Sequence, residues 1–169
     1  MLNQEEHKAE LNAIYEATRY CNSYSRLPRL LEIATMADRD AWLVMLGQMW
    51  GFDNVSEYQD ILLKYLRKRT PARQMMDPNE LEVYENLGDE VTIYRGCYSS
   101  NRRGICWSLD RDAAARYPFM DRYVQPGTPL LVEGVVNKGK IIAVKLNYGE
   151  VEIITDPVHV KTVAPIKIQ

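Results

Sequence analysis

Tyr148-Gly149-Glu150-Val151-Glu152-Ile153-Ile154-Thr155 reads as a strand in which acids alternate with β-branched residues. Side chains alternate faces along a strand, so Glu150 and Glu152 share one face, about 7 Å apart along the backbone. Val151 and Ile153 then point into the layer behind. Two like charges at that spacing repel, and burial raises a carboxyl pKa further. Taken alone, the segment is an exposed edge strand whose acids discourage pairing with other chains. The residues upstream change that reading.

The chain has 169 residues and 46% hydrophobic content, which suits one globular domain with a small accessory lobe. The net charge of −2 and scattered basic residues give no electrostatic footprint for nucleic acid or an anionic membrane surface. Met1-Leu2-Asn3-Gln4-Glu5-Glu6-His7-Lys8 is polar and acidic where a secretory signal is basic and then apolar. The expectation is a cytoplasmic protein, or one delivered to a host cytoplasm by a route without a signal peptide. The longest apolar run, residues 41–52, includes Gln48 and is too short to span a bilayer. Cys21, Cys97 and Cys106 are odd in number and lack framework spacing, which fits a reducing compartment. His7 and His159 are the only histidines, too little material for a zinc site or a histidine-centred triad.

The first half has helical periodicity. Leu11, Ile14, Tyr15, Thr18 and Cys21 predict an amphipathic helix over residues 5–24. Pro28 starts or bounds a second helix with Leu30, Leu31, Ile33 and Ala34 on its apolar side. Asp38 caps a third, whose Trp42, Leu43, Leu46, Met49 and Trp50 form a wide stripe ended by Gly51. Ser56-Glu57-Tyr58-Gln59 resembles a capping box for a fourth, which ends in Arg67-Lys68-Arg69, cations suited to a helix C-terminus. Asp77 and Pro78 open a short helix over residues 78–87, closed by Gly88.

After Gly88, β-branched and aromatic residues come in short runs between turn signals. Strands are predicted at 91–95, 104–108, 130–136, 140–146, 151–155 and 160–168, with Asn137-Lys138-Gly139 as a hairpin turn. One helix interrupts them, from Asp110 to Tyr117, acidic in its first turn and stopped before Pro118. The seam falls between Thr70 and Asp89, dividing a helical lobe at 1–88 from a core at 89–169.

Tyr94-Arg95-Gly96, Cys106-Trp107-Ser108 and Glu150-Val151-Glu152 occur in an order that resembles the ADP-ribosyltransferase superfamily, in its Arg-Ser-Glu branch. Gly104-Ile105-Cys106-Trp107-Ser108-Leu109-Asp110 leading into an alanine-rich helix, and Lys140-Ile141-Ile142-Ala143-Val144 ahead of the acids, support the match. Each motif alone is weak, and their order and spacing carry the resemblance, which covers residue 91 to the C-terminus. With the helical N-terminal lobe read from periodicity, the expected fold is α+β, and the resemblance implies that the lobe is followed by an ADP-ribosyltransferase-like core of two packed, mostly antiparallel sheets with an NAD cleft between them.

Cleaving the nicotinamide–ribose bond of NAD develops positive charge on the ribose, so the site needs a carboxylate beside the sugar and a cation on the pyrophosphate. By resemblance, Glu152 is the carboxylate and Arg95 the cation. The resemblance further implies that Gly96, beside Tyr94, would bring its backbone to the nicotinamide amide and that Tyr117 or Phe119 would stack on the ring. Cys106 stands where the family commonly has the serine that positions the glutamate. A thiol is a weaker donor than a hydroxyl, so either Ser108 carries that support or the enzyme is slow or inactive. Trp107 is expected in the core. In relatives a glutamate at the position of Glu150 goes with arginine as acceptor, in keeping with a guanidinium that stays charged and needs a carboxylate to hold it and draw off its proton. Tyr148 would grip a protein substrate, although it stands one residue closer to Glu150 than in relatives.

The resemblance favours a mono-ADP-ribosyltransferase acting on an arginine of a target protein. An NAD glycohydrolase and an inactive binding module with the same fold are the alternatives. A glycosidase built on Glu150 and Glu152 is disfavoured, because carboxylates flanking a sugar bond usually come from different elements.

Overall fold

The computed structural model describes residues 3–147 and 149–169. Among them, six α-helices and seven strands form an α+β architecture in which the helical region precedes the strands. None of the described helices is long and apolar enough to cross a membrane.

Helix α1 (Gln4–Thr18) opens with a reciprocal cap between Asn3 and Glu6. It stops six residues earlier than its periodicity predicts, because Asn22 folds the chain back by accepting from the backbone N–H groups of Tyr24 and Ser25. Helix α2 (Arg26–Ile33) begins two residues ahead of Pro28, which its first turn tolerates because the N–H groups there have no helical partner. Helix α3 (Arg39–Gln48) is capped by Asp38 as predicted, and Gly51 turns the chain beyond it with φ +123. Helix α4 (Val55–Leu66) follows Asn54 and not the predicted box at Ser56. Helix α5 (Pro78–Glu85) has the Asp77 cap, with Glu80 completing the box.

The strands are β1 (Glu90–Cys97), β2 (Cys106–Ser108), β3 (Leu130–Asn137), β4 (Ile141–Asn147), β5 (Glu150–Thr155), β6 (Lys161–Thr162) and β7 (Ile166–Lys167). They join into one antiparallel sheet in the order β4-β5-β2-β1-β3-β6, with β7 also on β3, where two packed sheets were expected. The two halves of this path meet at a single register pair, Tyr94 with Ser108. Helix α6 (Arg111–Arg116) lies on β1.

Two other expectations are corrected. The strand over 160–168 is two short ones, since Pro165 lacks the N–H that a continuous ladder needs. Asn137-Lys138-Gly139 is no hairpin. It forms a 3₁₀ turn that carries the chain from β3, beside β1, across to β4, beside β5.

Residues 88 and 89 mark a change of secondary structure, and one hydrophobic cluster runs across it. Leu30, Trp42, Leu46 and Leu66 from the helices join Ile93, Trp107, Val144 and Ile153 from the sheet. Backbone contact fastens the two parts further, with Ala72 N–H donating to Ile142 O at 2.7 Å.

Candidate active site

Strand alternation sets Glu150 and Glu152 on one face of β5, with Ile153 buried on the other. Cross-strand register brings Ser108 opposite Glu152, and Lys145 opposite it from the other side. A cavity of about 350 Å³ opens on this face. Tyr94, Arg95, Gly96, Cys106, Ser108, Tyr117, Glu150 and Glu152 all line it, so these residues from three strands and the end of α6 meet in one cleft. The volume is within the range of small-molecule sites, about 300–1,000 Å³.

Glu152 is enclosed except toward the cleft. Trp50 Nε1 donates to its Oε2 at 3.1 Å and Asn147 Nδ2 to the same oxygen at 3.2 Å. Burial raises the Glu152 pKa above the usual carboxylate value, and the bonds from Cys106, Trp50 and Asn147 offset part of that rise. Burial also pushes the Cys106 thiol well up, reinforced by the charge of Glu152 and by the hydrogen bond to it. Cys106 therefore keeps its proton beside the carboxylate and is a poor nucleophile. Ser108, 3% exposed, has a different local task, its Oγ accepting from Asp110 N–H at 3.0 Å in the turn that starts α6.

Arg95 reaches across the β1–β2 connection. Its Nη1 donates to Cys106 O at 2.6 Å, and Nε and Nη2 donate to Asn101 O at 3.3 and 3.1 Å. The guanidinium occupies the space a side chain would need at Gly104, which explains that glycine. Gly96 is explained by packing: a Cβ there would run into the carbonyl of Ala114 and come within 2.7 Å of Pro118 Cδ. Close approach of α6 requires it.

No family model, curated protein or solved structure matches the chain.

Tyr117 donates its hydroxyl to Glu150 Oε2 at 2.8 Å and packs against Tyr123, with ring centroids 5.4 Å apart. Burial and then this bond push its phenol pKa far up, so Tyr117 stays a donor at any ordinary pH. Phe119, its alternative, is half-exposed and lies outside the cleft lining. Trp107 is in the core as expected, its indole bonded to Gly104 O. Tyr148 lies outside the described residues.

Sequence reasoning missed Trp50 and Asn147. Trp50 looks like the last member of the α3 stripe, and only its place beside Gly51 hints at another task. Asn147 is a polar residue ending an apolar strand immediately before the acidic segment, a signal that was there to be used. Tyr123, and the Arg122–Asp53 pair at 3.4 Å, also belong to the cleft wall.

Proposed function

We propose that the protein is an NAD-dependent mono-ADP-ribosyltransferase that moves ADP-ribose to an arginine side chain of a target protein and releases nicotinamide. The observation that carries this reading is Glu152, a half-buried carboxylate bonded by neutral donors and facing a cleft that also presents Arg95 and Glu150. A fold gains little from enclosing a carboxylate without a bonded cation, so the arrangement suits a site where positive charge develops during reaction.

In NAD the bond from the ribose C1′ to the ring nitrogen breaks with its electron pair leaving on neutral nicotinamide. Glu152 stabilises the positive charge left on the sugar and accepts a hydrogen bond from a ribose hydroxyl. Arg95 has five N–H donors and uses three on Asn101 and Cys106, leaving two for the pyrophosphate. Glu150, oriented by Tyr117, pairs with the acceptor guanidinium and takes the proton it loses as its nitrogen bonds to C1′.

Incubation with NAD labelled at the adenylate phosphate, together with a small guanidine acceptor, tests the reading. Label on the acceptor with release of nicotinamide is expected. Free ADP-ribose alone assigns a glycohydrolase, and intact NAD contradicts catalysis altogether.

A further inference from the structure

Two hydrogen bonds on Glu152 come from residues outside the strand motifs. Trp50 lies 102 residues away in sequence, two positions past the end of α3, and Asn147 ends β4. Both reach Oε2. Neither is loosely placed. Trp50 is 8% exposed, its ring edge-on to Phe52 at 5.4 Å. The two residues before Asn147 are fastened to α5, since Glu80 accepts from Lys145 Nζ at 2.7 Å and from Leu146 N–H at 3.0 Å. The donors are therefore in position before any substrate binds.

We propose that Trp50 and Asn147 are positioning residues that fix Oε2 of Glu152 and turn its other oxygen, Oε1, toward the substrate, making the helical half part of the reacting centre. The inference rests on reading Glu152 as the carboxylate beside the ribose. A carboxylate free to rotate places its charge off target, and a displacement of about 1 Å costs on the order of 10²-fold in rate. The titratable and charged groups around Glu152 are Glu150 on its own strand, Cys106 on β2, Arg95 on β1, Tyr117 and Tyr123 after α6, and Lys145 on β4, whose ammonium is turned to Glu80. Trp50 and Asn147 do not titrate, so replacing them alters Glu152 without adding or removing a charge.

Selective ¹³C labelling of glutamate carboxyls allows Glu152 to be titrated by NMR in the wild type, Trp50→Phe and Asn147→Ala, with Glu152→Gln assigning its signal. Donors to the ionised form lower a carboxyl pKa, so each variant is expected to titrate about one unit higher than the wild type. In NAD turnover, kcat falls about ten- to a hundred-fold with KM within about two-fold, and the acid limb of the rate profile moves to higher pH by the same shift. An unchanged Glu152 titration in both variants overturns the inference. If Trp50→Phe does not fold, Asn147→Ala, at the half-buried end of β4, carries the same measurement. If the titration moves while the wild type turns over no NAD, the proposed reaction fails and the positioning of Glu152 stands.

Discussion

Two carboxylates meet the end of β4 and are held in opposite ways. Glu80, 3% exposed, accepts from Lys145 Nζ at 2.7 Å, from Asp77 N–H at 2.9 Å and from Leu146 N–H at 3.0 Å. Its charge is answered by a buried cation, and Lys145 in turn donates to Met75 O at 3.0 Å. Glu152, on the next strand, receives bonds from Trp50 and Asn147, both neutral, lies beside the protonated Cys106 thiol, and has a raised pKa. The first arrangement locks α5 to the sheet. The second leaves a carboxylate with unspent charge at the mouth of a cavity, which is what a reaction creating positive charge requires.

The strongest way to break this contrast is Lys145→Met. Stranding Glu80 as an unpaired buried charge is expected to cost about 3–5 kcal/mol in urea unfolding at neutral pH. A loss below about 1 kcal/mol would show that Glu80 does not depend on its cation.

Glu152→Gln is expected to act the other way on stability. The folded pKa of Glu152 lies above its ordinary value of 4.5, so the folded state binds the extra proton more readily than the unfolded one. The stability this supplies is complete below about pH 4.5 and is lost as pH rises through the folded pKa. Unfolding midpoints compared from pH 4 to pH 8 should therefore move in favour of the variant as pH rises. A wild type that gains on the variant over that range would place Glu152 with Glu80, as a stabilising carboxylate.

Cys106→Ser gives the smallest effect and sharpens the contrast. A hydroxyl donates more strongly than a thiol, so Glu152 should titrate lower and NAD turnover should rise about two- to five-fold. A fall in turnover would mean that the thiol contributes packing and not a hydrogen bond.

Much of this arrangement was legible in the chain because it is local. The caps at Asp38 and Asp77, the alternation in β5 and the motif residues around Arg95, Ser108 and Glu152 each declare themselves within a few positions. The breaks at Asn22 and Pro165 were local too, and were outweighed by the apolar pattern running through them. What periodicity does not carry is which element a buried face meets. Trp50 fits the α3 stripe whether its indole reaches a leucine or a glutamate 102 residues on. Gly96 invites a ligand-based reading until α6 is found against it. The Asn137 turn has hairpin chemistry, yet its two strands pair with β1 and β5, because sheet order depends on the whole chain.

Nicotinamide release from NAD, measured side by side for the wild type and Glu152→Gln with unfolding midpoints recorded on the same samples, tests the central claim most directly. The account predicts turnover by the wild type and a loss on the order of 10²-fold or more in the variant, at an undiminished unfolding midpoint. Equal turnover in the two proteins, or none in the wild type, would contradict it.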